Sequence, residues 1–198
     1  MKCTECGSTM KKTVGDHVYR ESGMDHVVLR NITKYTCPED GRVFVQIPAI
    51  GKLHRVLARA IAEKPARLVP SEVRFLRDHL DLSNTQFADI MGVSPTQSSR
   101  WTTSDPIGTQ AERFLRMLAV LGPERVKPRD EERLLAKEPP TMNEENVGEA
   151  SAYFAEETLD EISKVIKQLP SLSPEVKSVK IGLRRINAGW KQDAAMSN

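Results

Sequence analysis

The 198-residue sequence lacks the features that mark several large classes of protein. No stretch approaches the roughly 18 consecutive apolar residues of a membrane-spanning helix, and no apolar run of a signal peptide follows Met1. Aromatic residues make up only 5% of the chain, which favours domains of modest size, and the net charge is only +2. We therefore expect a cytoplasmic protein without membrane contacts, and the total charge neither favours nor excludes nucleic acid as a partner.

Signatures of catalysis are also missing. The sequence contains no recognisable pairing of a nucleophile with a base and no glycine-rich loop that would bind phosphate. The four histidines, His17, His26, His54 and His79, are scattered, and the last two fall in helical patterns. We expect no enzymatic activity.

The cysteines are only three, but their spacing is that of metal ligands. Cys3 and Cys6 form one Cys-x-x-Cys pair, and Cys37-Pro-Glu-Asp40 repeats the spacing with aspartate in the last place. Zinc ribbons hold their metal between two such turns, and a carboxylate binds zinc at a distance similar to that of imidazole. We therefore predict a structural Zn²⁺ site formed by Cys3, Cys6, Cys37 and Asp40.

Other interpretations of the cysteines remain open. The fourth ligand could instead be His17, His26 or Glu39, or the ribbon could have lost its metal. A redox Cys-x-x-Cys is disfavoured by the second half-site and by the absence of a thioredoxin-like βαβ pattern around Cys3. A β-rich segment of about 47 residues is too small to be stabilised by burial alone, which favours a structural metal.

Apolar spacing divides the chain into four segments. Residues 1–47 contain short alternating runs that predict strands, and residues 48–68 have the spacing of a helix that links two modules. Residues 69–122 are helical throughout, and residues 123–198 form a charged linker and a helical C-terminal extension. Its apolar stripes are Leu159, Ile162, Ile166 and Leu169, then Val176, Val179 and Leu183.

Charge is segregated within this C-terminal extension. Seven acidic and no basic residues lie between Pro139 and Ser163, whereas seven basic residues and one acidic residue lie between Lys164 and Lys191. Such segregation is typical of an interaction region, although two solvated helix faces would give the same pattern.

The segment from Leu82 to Trp101 predicts a helix-turn-helix. A short helix from about Asn84 ends at Gly92, and Ser94-Pro95 provides an N-cap and a first helical residue for a second helix. The expected core between the two helices consists of Phe87, Ala88, Ile90, Val93 and Trp101, while Ser98 occupies a position that is usually apolar.

The exposed face of the second helix carries side chains suited to DNA. Arg100 can donate two hydrogen bonds to guanine, Thr96 can contact a thymine methyl group, and Gln97 can bond adenine or phosphate. Asn84, at the start of the first helix, is a candidate phosphate contact. The predicted DNA-binding residues are Asn84, Pro95, Thr96, Gln97, Ser99 and Arg100.

These residues together resemble the YgiT-type zinc-finger/helix-turn-helix family, which includes MqsA-like antitoxins. The resemblance covers about residues 1–121 and includes the three cysteines, the Pro70-Ser71-Glu72 segment, Gly92, Arg100-Trp101 and the run from Arg113 to Leu118. It implies an α+β protein with a β-rich zinc-ribbon-like domain, a linker helix and a five-helix XRE-type domain. Asp40 in place of cysteine, Thr102 in place of an acidic residue and the extension after residue 122 depart from the family pattern.

The resemblance implies a sequence-specific transcriptional regulator, in the manner of an antitoxin that represses its own operon. It also implies a homodimer on double-stranded operator DNA and a possible toxin partner for the zinc domain. The alternative is a protein-interaction module in which DNA binding is secondary, because DNA reading does not need the last 70-odd residues. A dimer-stabilising appendage is a further role for that extension.

Overall fold

The computed structural model describes residues 1–122, 164–165, 167–170, 179–186 and 189–193, and the structural statements below concern these residues. They form a mixed α+β structure with one five-stranded sheet and five α-helices. The α+β prediction is therefore confirmed. No helix among the described residues is both long and apolar enough to cross a membrane.

The sheet is assembled from both ends of the chain. Its strands are β1 (Lys11–Val18), β2 (Val27–Thr36), β3 (Val43–Gln46), β4 (Ile181–Ile186) and β5 (Gly189–Gln192). The order is β1-β2-β4-β5, and β3 also pairs with β2.

Strand β2 has two different neighbours along one edge. Its second half pairs with β3, and its first half pairs with β4, which runs parallel to it. Asn31, between the two halves, has a φ of 62°. This left-handed conformation is one that asparagine tolerates better than most residues, and it marks an irregularity between the two pairings.

The prediction of a helical C-terminal extension is wrong for the end of the chain. The sequence places Leu183 in an apolar helical stripe, but this residue lies in β4 and is fully buried. Lys164–Val165 and Lys167–Gln168 are helical. The predicted linker over 123–143, the acidic run over 139–163 and most of the first apolar stripe lie outside the described residues.

The helices are α1 (Ile50–Glu63), α2 (Pro70–His79), α3 (Asn84–Met91), α4 (Pro95–Thr103) and α5 (Thr109–Leu121). Helix α1, expected to link two modules, packs against β5, α2 and α5. Its apolar side chains belong to one core that continues from the sheet into the helices. The buried residues of α1 are Leu53, Leu57, Ala58, Ala60, Ile61 and Ala62.

A buried arginine caps the C-terminal end of α1. Arg116 of α5 has no exposed surface, and its guanidinium donates to the carbonyls of Ala62 (2.8 Å), Lys64 (2.6 Å) and Ala66 (2.7 Å). It also donates to Glu112 Oε1 at 2.8 Å. Because the last carbonyls of a helix lack partners within the helix, Arg116 satisfies acceptors that would otherwise be buried and unpaired.

A second buried charge, Glu72, connects the sheet to the helices. Its carboxylate accepts from Val69 N at 2.9 Å and contacts Lys64 Nζ at 2.7 Å and His26 Nε2 at 3.1 Å. His26 precedes β2, Lys64 follows α1, and Glu72 lies in the first turn of α2. These contacts fix the relative positions of three elements.

Candidate functional site

The four predicted metal ligands lie together. One ligand atom from each of Cys3, Cys6, Cys37 and Asp40 falls within 4.8 Å of every other. Cys3 and Cys37 are buried, whereas Cys6 and Asp40 are exposed. Three thiols and a carboxylate in this arrangement are compatible with a metal site, and thiolate donors suit zinc among the common metals.

The two turns that carry these ligands share one backbone pattern. Cys3 N donates to Ser8 O at 2.9 Å and Gly7 N to Cys3 O at 3.1 Å. In the second turn Cys37 N donates to Arg42 O at 2.9 Å and Gly41 N to Cys37 O at 3.1 Å. Gly7 and Gly41 both have a φ of 72°, a conformation that glycine adopts without strain.

This repetition has a consequence for Asp40. Asp40 occupies the same position in the second turn as Cys6 occupies in the first. The second turn therefore has the backbone geometry of the first, although its last position carries a carboxylate in place of a thiol.

The alternative fourth ligands lie outside this cluster. His17 Nε2 is 3.5 Å from Glu21, and His26 contacts Glu72. Within the described part of the chain, neither histidine nor Glu39 joins the group of close ligand atoms.

Hydrogen bonds lower the pKa values of two of the predicted ligands, Cys6 and Asp40, which favours the ionised forms that bind a cation. Hydrogen bonds from the hydroxyl and amide of Ser8 lower the pKa of Cys6 to about 7. The backbone amide of Arg42 lowers the pKa of Asp40. The backbone amide of Asp40 acts to lower the pKa of Cys37, but burial and the neighbouring Asp40 and Cys6 side chains outweigh it and raise that pKa to about 11.

Arg42 is in direct contact with the cluster. Its Nε lies 3.0 Å from Asp40 Oδ2, its backbone N donates to Asp40 Oδ1 at 3.0 Å, and its Nη1 lies 3.1 Å from Glu5. Arg42 thus orients the carboxylate that stands in the fourth position.

The second candidate site is the outer surface of α4. The side chains of Ser83 and Ser94 cap α3 and α4 by accepting from the backbone nitrogens three residues later, and Gly92 ends α3 at a φ of 66°. Three residues, 92–94, therefore join the helices. Phe87 and Ala88 are fully buried between them, as predicted.

Helix α4 has one buried and one exposed side. Ser98, Trp101 and Thr102 are buried. Among the predicted DNA-binding residues, Pro95, Thr96, Ser99 and Arg100 are exposed and Gln97 is partly buried. No carboxylate within the described residues pairs with Arg100, so its guanidinium is available to a partner.

Asn84 is positioned differently from the other predicted residues. Its Nδ2 donates to Pro95 O at 3.0 Å, and its Oδ1 accepts from Ser98 Oγ at 2.8 Å. The side chain thus joins α3 to α4, and a phosphate contact would depend on its second amide hydrogen. This bond also explains the polar Ser98 at a buried position, which sequence reasoning treated as a weakness of the motif.

The buried charged residues Glu72, Glu112 and Arg116 were missed as structural determinants by sequence reasoning. Their signal would have been charged residues on the apolar stripes of amphipathic helices.

Comparison with known proteins provides no relative from which the roles of these residues could be transferred. No protein-family model, curated protein or solved structure matches the chain.

Proposed function

We propose that the chain is a sequence-specific DNA-binding regulator in which α3, the turn over 92–94 and α4 form a helix-turn-helix. The observation that carries this proposal is the two-sided character of α4. Its inner side is fixed by burial of Trp101 and by the Ser98–Asn84 hydrogen bond, while Thr96, Ser99 and Arg100 are presented to solvent. A rigid helix with exposed polar side chains suits the major groove.

The test is binding of the full chain to duplex DNA from upstream of its own reading frame, measured by fluorescence anisotropy. Arg100→Ala should weaken binding by about 1–3 kcal/mol, or about 5- to 150-fold, if Arg100 bonds a guanine. Arg59→Ala is the matched control, because Arg59 is an exposed arginine on α1. Equal weak binding to the upstream DNA and to a scrambled duplex would refute sequence-specific recognition.

We further propose that the cluster holds a structural Zn²⁺ through Cys3, Cys6, Cys37 and Asp40. Among the described residues, the separate small core around the cluster consists of five residues, so a metal would supply stability that burial of these residues cannot. When bound, the ion would join the two turns. Zinc binds the thiolate form of cysteine, and the raised pKa of Cys37 opposes its ionisation, so binding should release a proton and weaken as pH falls.

Metal content measured on the purified chain tests the site. We expect one zinc per chain, and Asp40→Ala should lower zinc affinity, whereas Asp40→Cys should retain or raise it. Glu39→Ala is the control, because Glu39 is the neighbouring exposed acid outside the cluster. A larger effect from Glu39→Ala than from Asp40→Ala would reject the proposed ligand set.

The proposed function includes a homodimer that binds a palindromic operator, as an autorepressing antitoxin does. Two recognition helices would then contact half-sites about 34 Å apart. Sedimentation of the chain alone and on DNA tests this point, because a monomer in both cases would exclude the dimeric mode.

Partner binding is the second candidate function. It is favoured by β1, which is an edge strand in the part of the sheet that the structure describes and exposes Val14 (57%) and Val18 (40%). Exposed edge strands recruit partner strands. Co-purification with the product of an adjacent small reading frame, lost in Val14→Lys, would support a toxin-like partner, and retention of that complex in Val14→Lys would exclude β1 as its binding site.

A further inference from the structure

Three cations lie side by side on one face of the sheet. Arg30 of β2 is directly opposite Arg184 of β4, and Arg184 is directly opposite Lys191 of β5. Leu29 and Leu183, one position earlier in their strands, are fully buried. Because side chains alternate between the faces of a sheet, the three cations lie on the face away from the core. We call this set the cationic row.

The cationic row is only partly neutralised. Within the described part of the chain, its ion-pair partner is Asp193, which lies 3.2 Å from Arg30 Nη1 and 3.3 Å from Arg184 Nη2. Arg30 Nε is buried and has no hydrogen-bond partner. Like charges directly opposite each other destabilise a sheet. Two of the three cations share one carboxylate, and Lys191 has no ion-pair partner among the described residues, so the row is unfavourable in the free chain and would be stabilised by an anionic partner.

The geometry points to the phosphate backbone of duplex DNA as that partner, and we propose that the cationic row is a second, sequence-independent DNA contact. Adjacent strands lie about 4.8 Å apart, so the row spans about 10 Å, a length over which one DNA strand presents about three phosphates. The inference rests on the proposed function and adds to it a contact that strengthens binding to every sequence equally.

The test compares two charge-removing variants of the full chain. R184Q/K191Q removes two charges from the row, and K52Q/R59Q removes two charges from exposed positions of α1. Anisotropy is measured on the upstream duplex and on a scrambled duplex over a series of salt concentrations. We expect R184Q/K191Q to weaken binding to both duplexes by about tenfold at ~0.1 M salt and to reduce the slope of log K against log salt by about two. The control should leave that slope nearly unchanged.

A third variant separates loss of charge from loss of folding. R184K/K191R retains both charges and should bind DNA as the parent chain does. If it fails to bind, the weaker binding of R184Q/K191Q results from damage to the folded sheet and not from loss of charge. Unchanged or increased affinity of R184Q/K191Q would overturn the cationic row as a DNA contact.

The outcomes also separate this inference from the function on which it rests. If the parent binds both duplexes equally and R184Q/K191Q weakens both, the cationic row stands while sequence-specific recognition fails. If Arg100→Ala weakens only the upstream duplex and R184Q/K191Q changes nothing, recognition stands and the row fails. A parent chain that binds neither duplex overturns both.

Discussion

Replacing Arg116 with methionine should destabilise the folded chain far more than replacing the exposed Arg113 on the same helix. Methionine matches the arginine side chain as far as Nε and suits a buried site, but it lacks the rest of the guanidinium and donates no hydrogen bonds. The guanidinium makes bonds to the carbonyls of Ala62, Lys64 and Ala66 and to the carboxylate of Glu112. All of these acceptors lose a donor at once.

The size of this destabilisation depends on the buried carboxylate of Glu112, which remains after Arg116 is replaced. Glu112 has no exposed surface, so its carboxylate would keep only Leu68 N at 2.9 Å and Arg67 Nε at 3.1 Å. Removing one member of a buried ion pair costs about 3–5 kcal/mol when the other charge is left uncompensated. Arg67 still pairs with Glu112, so the ion-pair loss is smaller than that, but three backbone carbonyls lose their donor as well, and we expect a total of about 3–5 kcal/mol. Whole domains have stabilities of about 5–15 kcal/mol, so the loss would be a large fraction of the total.

Urea denaturation followed by circular dichroism measures this loss. With a slope of about 2 kcal/mol per molar urea, the midpoint should fall by about 1.5–2.5 M. Arg113→Met is the matched control, because Arg113 is exposed on the same helix and its replacement should change stability by less than about 0.5 kcal/mol.

A double variant tests the physical cause. Glu112→Gln combined with Arg116→Met removes both charges, so its cost should be smaller than the sum of the two single costs by about 1–3 kcal/mol. Additive costs, or an Arg116→Met effect below about 1 kcal/mol, would refute the reasoning that Arg116 compensates Glu112 and caps α1.

Other substitutions address single contacts and the pH dependence of stability. Ser98→Ala removes the donor to Asn84 Oδ1, which is partly exposed, and should cost about 0.5–1.5 kcal/mol in thermal or urea unfolding. Trp190→Ala removes a buried ring and its bond to a backbone carbonyl, and should cost about 3–5 kcal/mol by the same measurement; a cost below about 1 kcal/mol would mean that β5 is not integral to the core. Burial lowers the pKa values of His54 and His79 in the folded chain. As pH falls, these histidines are therefore protonated in the unfolded chain before they are protonated in the folded chain. The two histidines therefore do not reduce stability above about pH 6.5, and stability falls as pH is lowered from there through their folded-state pKa values. Replacement of both histidines by glutamine should make the urea midpoint depend less on pH between pH 7 and pH 5.

The bounds of α3 and α4 could be predicted because the chemistry that sets them is local. Ser83 and Ser94 each cap a helix within three residues, and Gly92 ends α3 where a left-handed residue is needed. The metal cluster was also predictable, because its two turns have the same ligand spacing.

The C-terminal strands could not be predicted because their partners are distant. Val179 and Leu183 are four residues apart, which imitates a helical stripe, yet β4 pairs with a strand about 150 residues earlier in the chain. The interhelical role of Asn84 could not be predicted for a related reason. Its place at a helix start predicts an anion contact, which stays a prediction, but Ser98, whose hydroxyl donates to Asn84 Oδ1, lies on another helix.

The pairing of β4 with the first half of β2 also constrains the order of events during synthesis. Val27–Arg30 would leave one row of backbone groups unpaired until Ile181–Arg184 has emerged from the ribosome. The nascent chain therefore holds an open strand edge while the intervening residues are translated, and it is exposed to mispairing with other nascent chains throughout that interval. Completion of the sheet is a late step of biogenesis, and shortening the chain before Ile181 should yield a protein that aggregates rather than a smaller stable fold.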